Sequence, residues 1–156
     1  MSTTDAAAVL TQEHRDIDAD IEAFAHGLSQ GNPEPATLAR AFAALRRHIF
    51  LEEELLFPAI ARAGMTMPVA VMMKEHGELW GLMDHIDADA EAGAKVEAMT
   101  SACAALLAQL DRHNGKEEPI VYPRGAIDLT SSELAALERF IAEGTTPIGW
   151  RCREAR

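Results

Sequence analysis

The amino-acid sequence predicts an all-α fold, an up-down-up-down four-helix bundle with a short C-terminal helix, on three observations. Turn-forming clusters at Gly31-Asn32-Pro33-Glu34-Pro35, Gly64-Met65-Thr66-Met67-Pro68 and Glu91-Ala92-Gly93-Ala94 divide the first 118 residues into four long segments. None of the four alternates apolar and polar residues as a half-buried strand would, and each carries an apolar stripe at helical spacing. One phrase is also written twice: His48-x3-Glu52-Glu53-x3-Phe57-Pro58 returns about 65 residues later as His113-x3-Glu117-Glu118-x3-Tyr122-Pro123. Each copy is preceded by a Glu-His pair, Glu13-His14 and Glu75-His76, at nearly the same period, so the chain reads as two copies of a helical hairpin.

The first helix is expected over about 6–29, the second over 36–63, the third over 67–90 and the fourth over 95–118. Short connections make neighbours antiparallel, and such a bundle can build a metal site from side chains on facing helices. Pro119 and Pro123 are expected to end the fourth helix. Beyond them Thr130-Ser131-Ser132-Glu133 is a capping-box signature for a short helix to about Ala142, stopped by Gly144, and the tail is expected to pack back through Trp150. Residues 1–156 form a single domain, with the bundle over about 6–118 and an extension over about 119–156.

Of the 156 residues 48% are hydrophobic, enough for one substantial core. The longest apolar runs, such as Pro68 to Met73, fall far short of a membrane span, and Met1-Ser2-Thr3-Thr4-Asp5 lacks the basic start of a signal peptide, so a cytoplasmic location is expected. A net charge of −11 argues against nucleic acid or an anionic membrane as partner, because both repel an acidic surface. Cys103 and Cys152 have neither metal-site nor disulfide spacing and are read as a reduced pair with no chemical role.

Helix geometry sorts the six histidines. At about 100° per residue, His14 lies beside Leu10, Ile17 and Ile21, while His26 falls on the far side of the same helix. His76 lies beside Met72, Leu79 and Met83, and His85 is roughly 180° away. His48 and His113 share faces with Leu45 and Leu110, with Glu52 and Glu117 only about 40° further round. Glu53 and Glu118 swing about 140° from their histidines and are expected in water. A single inward histidine is ordinarily a hydrogen-bonded core residue, but four together with two inward carboxylates and no inward Lys or Arg need another explanation. Buried unpaired carboxylates cost several kcal/mol each, and a bound cation removes that cost. The methionines at 65, 67, 72, 73 and 83 are read as core filling.

Imidazole and carboxylate without thiolate suit iron, manganese or zinc, and two histidines with one carboxylate per repeat form the ligand set of an oxygen-handling ferrous site. Two sets argue for two irons, carboxylate-bridged through Glu52 and Glu117 with a shared oxo or hydroxo group, leaving one open position on each for dioxygen, peroxide or nitric oxide. The series of Glu-His and His-x3-Glu-Glu-x3-aromatic-Pro motifs resembles the haemerythrin-like, or HHE cation-binding, domain over about residues 8–124. The resemblance implies a four-helix bundle around a non-haem di-iron centre with ligands His14, His48, Glu52, His76, His113 and Glu117, the same six that helix geometry selects. The oxygen carriers of that family have a fifth histidine four residues after the one matched by His76, and this chain has Trp80 there. Trp80 either packs in that space or lines the open site. Tyr122, at the place of Phe57 in the other repeat, is a candidate extra ligand or hydrogen-bond donor.

The expected function is therefore a di-iron protein that binds or reacts with dioxygen, peroxide or nitric oxide in oxidative or nitrosative stress, with an unidentified electron donor and catalase-like turnover as one form of the activity. An iron- or oxygen-sensing module and a reversible oxygen binder are the alternatives. A ferritin-like oxidase is disfavoured because no Glu-x2-His occurs in the chain.

Overall fold

The computed structural model describes residues 3–156. Its order is α1 (Thr3–Ser29), α2 (Pro35–Leu51), a π turn (Glu52–Leu56), α3 (Phe57–Arg62), α4 (Thr66–Glu91), α5 (Val96–Lys116), a second π turn (Glu117–Val121), α6 (Tyr122–Asp128), α7 (Ser131–Glu143) and a 3₁₀ turn (Arg153–Ala155). Among the described residues there is no strand, and no helix is long and apolar enough to cross a membrane. α1 packs on α2 and α5, and α4 on the same two, so four helices close a square. Gly31, Gly64 and Gly93 take positive φ (71°, 118° and 69°) just past their helices. In each case the next amide reaches back five residues, as Asn32 N–H does to the Gly27 carbonyl at 2.9 Å, which closes the helix end.

The expected second and fourth helices are not continuous α-helices. Each is interrupted by a π turn that starts at the glutamate of the repeat, where the Phe57 amide donates to the Glu52 carbonyl and the Tyr122 amide to the Glu117 carbonyl. Nor does the chain stop at Pro119: it continues through the π turn into α6 and ends at Asp128. The prolines explain both corrections. Pro58 and Pro123 have no N–H and would break an α-helix, but here each sits in the first turn of the helix after the bulge, where that donor has no partner to lose.

Two apolar clusters fill the interior. One contains Ile17, Ile21, Phe42, Leu79 and Leu106, the other Leu10, Leu51, Phe57, Met72 and Leu137. The inward histidines fall between them: His14 separates Leu10 from Ile17, and His76 separates Met72 from Leu79. The polar layer is thus sealed by hydrocarbon above and below.

α7 begins where its signature says, with both bonds of the capping box formed: the Glu133 amide donates to Thr130 Oγ1, and the Thr130 amide to the Glu133 carboxylate. Its Leu137 is buried in the same cluster as Tyr122 and Leu10. Thr130→Ala is expected to cost α7 about 1 kcal/mol. Hydrogen exchange should quicken in the first turn of α7 and leave the slowest amides of α1 and α4 unchanged.

Candidate metal centre

Four helices each bring one histidine to the polar layer, and the two π turns bring the glutamates. His14, His48, His76 and His113 are at most 3% exposed, and Glu52 and Glu117 are fully buried. Their donor atoms form two groups of four, His14-His48-Glu52-Glu117 and His76-His113-Glu52-Glu117, each with all atoms within 4.8 Å of one another and both able to hold a metal ion. Both groups use both glutamates. His14 Nε2 lies 3.2 Å from Glu117 Oε1, His48 Nε2 3.2 Å from Glu52 Oε1, and His14 Nε2 3.0 Å from His48 Nε2. In the other half His113 Nε2 is 3.3 Å from Glu117 Oε2 and His76 Nε2 3.5 Å from Glu52 Oε1. Ligand atoms about 2.1 Å from a shared octahedral ion stand about 3.0 Å apart, so these separations are those of a coordination sphere. Among the described residues His76 Nε2, Glu52 Oε1 and both oxygens of Glu117 have no hydrogen-bond partner, which is the arrangement of donor atoms that a cation completes.

Each imidazole is held from behind by a carboxylate. His48 Nδ1 donates to Glu13 Oε2 (2.6 Å), His76 Nδ1 to Glu53 Oε2 (2.7 Å), His113 Nδ1 to Glu75 Oε1 (2.9 Å) and His14 Nδ1 to Glu118 Oε2 (2.8 Å). These bonds assign the Nδ1–H tautomer, turn every Nε2 lone pair inward and make the imidazoles more basic. The four bonds form a closed circuit: α1 supplies the carboxylate for α2, the π turn after α2 for α4, α4 for α5, and the π turn after α5 for α1. Glu53 is buried and Glu118 is half-buried, so neither is the solvated residue that helix geometry implied. At about 140° from its own histidine a side chain faces the neighbouring helix, and at this layer the neighbour presents a histidine. Glu13 and Glu75 carry roles that sequence reasoning did not assign, although their repeated adjacency to His14 and His76 was the visible signal. His26 and His85 are exposed, as expected, and His85 pairs with Asp89.

The charges in this layer are strongly coupled. Burial opposes protonation of the imidazoles, but the carboxylates around them prevail: His48 is pushed well above the usual histidine value, His76 to about 9, and His113 upward. Burial likewise opposes the charge on Glu117, yet His113 and His14 hold its carboxyl well below the usual range. No Lys or Arg pairs with Glu52 or Glu117 among the described residues, so protons on the imidazoles neutralise them until a cation replaces those protons.

The two halves differ at one position of the repeat. Tyr122 Oη lies 2.9 Å from His48 Nε2, 3.0 Å from His14 Nε2 and 3.1 Å from Glu52 Oε2, to which it donates. Burial and the charges of Glu117 and Glu52 push its phenol far above the usual range. In the other half Phe57 stacks on His76 with ring centroids 5.4 Å apart and 17° between planes. Trp80 packs edge-on against Trp150 (5.5 Å) and under the Arg46 guanidinium (5.5 Å).

The family model described as Hemerythrin HHE cation binding domain matches residues 5–124, which spans all six donor residues and Tyr122. No curated protein and no solved structure matches the chain.

The raised histidines set a pH dependence for the metal-free protein. A group whose folded pKa exceeds its unfolded one stabilises fully below the unfolded value and ceases to do so as pH rises through the folded one. Through His76, thermal stability without metal is expected to fall between pH about 6.5 and about 9. A loaded centre has no proton there to lose, so unfolding scans with and without metal should diverge as pH increases across that window.

Proposed function

The chain belongs to the hemerythrin HHE cation-binding family, and from that premise we propose that it is a non-haem di-iron protein that binds or reacts with dioxygen, peroxide or nitric oxide in oxidative or nitrosative stress. The observation that supports this best is the pair of four-atom donor groups sharing Glu52 and Glu117. His14 and His48 would hold one iron, His76 and His113 the other, and the two glutamates both. Manganese and zinc suit the same donors. Iron is our reading because two imidazoles and the two shared carboxylates on each ion leave positions free for a small molecule. A bound iron pair would supply the redox couple and the exchangeable coordination positions.

The chain's own residues do the rest. The carboxylate circuit fixes the four ring orientations, and the apolar clusters above and below exclude water from the layer. The Tyr122 hydroxyl sits at ligand spacing from three donor atoms of the His14 half, and we read it as an added ligand there. The His76 half, faced by Phe57, then keeps the open position for the small molecule. Reduction of dioxygen or nitric oxide needs electrons from a separate donor. Peroxide disproportionation, the catalase-like form of the activity, needs none, because one peroxide oxidises the other. The net charge of −11 favours no nucleic-acid or membrane partner, and a cytoplasmic location fits the chemistry.

A sensing role is the second reading, favoured by the uncompensated Glu52 and Glu117. A fold with buried carboxylates that only protons or a cation can neutralise links its stability to iron supply.

The test is metal content and visible spectrum after anaerobic loading with ferrous iron, followed by peroxide or nitric oxide. About two irons per chain and a spectrum that changes on challenge are expected, with His113→Ala reducing uptake to about one. Tyr122→Phe should abolish a phenolate-to-iron charge-transfer band. Retention of zinc alone, with no spectral response to either reagent, would sink the redox reading. A loaded protein that consumes nothing but melts far above its metal-free form would favour sensing.

A further inference from the structure

The family match ends at residue 124, yet the last residues of the chain reach the metal layer. After α7 the chain folds back along α2 and α4. Trp150 stands edge-on between Phe50 (5.0 Å, 86°) and Trp80 (5.5 Å, 69°), its indole N–H donating to Glu54 at 3.2 Å. Arg151 donates to Asp84 at 2.7 Å, and Cys152 has no exposed surface. The chain then turns through the 3₁₀ turn over the α4 residue that follows His76. A Cβ on Gly77 would stand 2.7 Å from Glu154 Cβ, so the glycine is what lets the tail lie this close.

At that point the Arg153 amide donates to Glu53 Oε1 at 3.0 Å, and Glu53 Oε2 takes the Nδ1 proton of His76. Glu53 is the most buried carboxylate of the circuit, with 3% of its side chain exposed, which leaves little surface for water to stand in for that donor. The neighbouring members are anchored differently: Glu75 by Lys116, and Glu13 by Arg47 at 3.5 Å. Among the described residues only Glu53 of the circuit accepts from a backbone amide at the far end of the chain. Arg153 and Glu154 also line a cleft of about 440 Å³ together with Glu53 and Phe57, the ring stacked on His76.

We infer that residues 145–156 are a positioning strap for one half of the centre: the Arg153 amide fixes Glu53, Glu53 fixes the His76 ring, and docking of the tail sets how tightly the His76-His113 half holds its cation. The inference rests on the metal-centre reading above. It makes the two halves unequal, because the His14-His48 half has no such contact with the strap.

The decisive variant is Arg153→Pro. Cys152 is extended (φ −60°, ψ 153°), as a residue before proline must be, and proline suits the first position of a helical turn. The substitution thus suits the local backbone, removes the N–H and sets Cδ where that hydrogen stood, which drives Glu53 Oε1 away from the strap. Arg153→Ala keeps the amide and is the control, since the guanidinium makes no hydrogen bond or ion pair among the described residues. Gly77→Val pushes Glu154 off α4 and disrupts the same contact from the other side. Two readouts are needed: solvent exchange of the His76 Nδ1 proton by NMR in the metal-free protein, and ferrous iron titration against a competing chelator. In Arg153→Pro and Gly77→Val, exchange should be faster and one of two iron equivalents weakened about tenfold or more, as for loss of an outer hydrogen bond to a ligand. Arg153→Ala should match the wild type in both. Should Arg153→Pro fold poorly, a chain ending at Cys152 lacks the same amide and carries the test. Iron binding by Arg153→Pro indistinguishable from wild type overturns the strap alone. No iron uptake by any form, wild type included, overturns the metal-centre reading and the strap with it.

Discussion

Two glutamates buried side by side, without a Lys or Arg among the described residues to pair them, are the constraint that the rest of this molecule answers. Charge in a hydrocarbon interior is tolerated only when matched, and the match here comes from four imidazoles whose orientation cannot be left free. That requirement explains the outer carboxylates, which fix each ring by its Nδ1 proton and leave Nε2 aimed inward. It also explains why so short a chain devotes four of its helices to one layer. The two apolar clusters on either side are large enough to carry the fold, so the layer between them is free to be polar.

The π turns are the local device by which the backbone meets that constraint. Both start at a glutamate shared by the two donor groups and both precede an aromatic residue followed by proline. The bulge lets proline enter without breaking the helix, and the aromatic side chain is carried beside the layer. Where that side chain is Phe57 it stacks on an imidazole; where it is Tyr122 it brings a hydroxyl to within 3.1 Å of three donor atoms. At this position of the repeat, one oxygen atom therefore separates the chemistry of the two halves.

How much of this was legible in the sequence follows from what periodicity encodes. The helices, the inward four histidines with Glu52 and Glu117, the Thr130 cap and the return of Trp150 all rest on repeats or spacing within a single element, and those are local. The π turns were not legible, because one extra residue in a helical turn leaves no compositional mark; only the prolines hinted that the α-helix could not continue unchanged. Glu53 and Glu118 were misread for a different reason. A wheel drawn for one helix sees a core side and a water side, and has no sector for the neighbour whose histidine awaits a carboxylate. The direction of Tyr122 depended on the bulge and was lost with it. The Arg153 amide was beyond any sequence reading, since a backbone donor is the same at every residue but proline.

The circuit of carboxylates runs in one sense around the bundle, and that sense has a consequence for how the molecule is divided. Glu13 to His48 lies within the first hairpin and Glu75 to His113 within the second, while Glu53 to His76 and Glu118 to His14 cross between them. Each hairpin thus gives its partner one carboxylate and receives one in return, as two subunits of a symmetric dimer would. The chain is a dimer written in a single polypeptide, joined between Arg62 and Thr66, and neither hairpin has a complete set of oriented imidazoles until the other has docked.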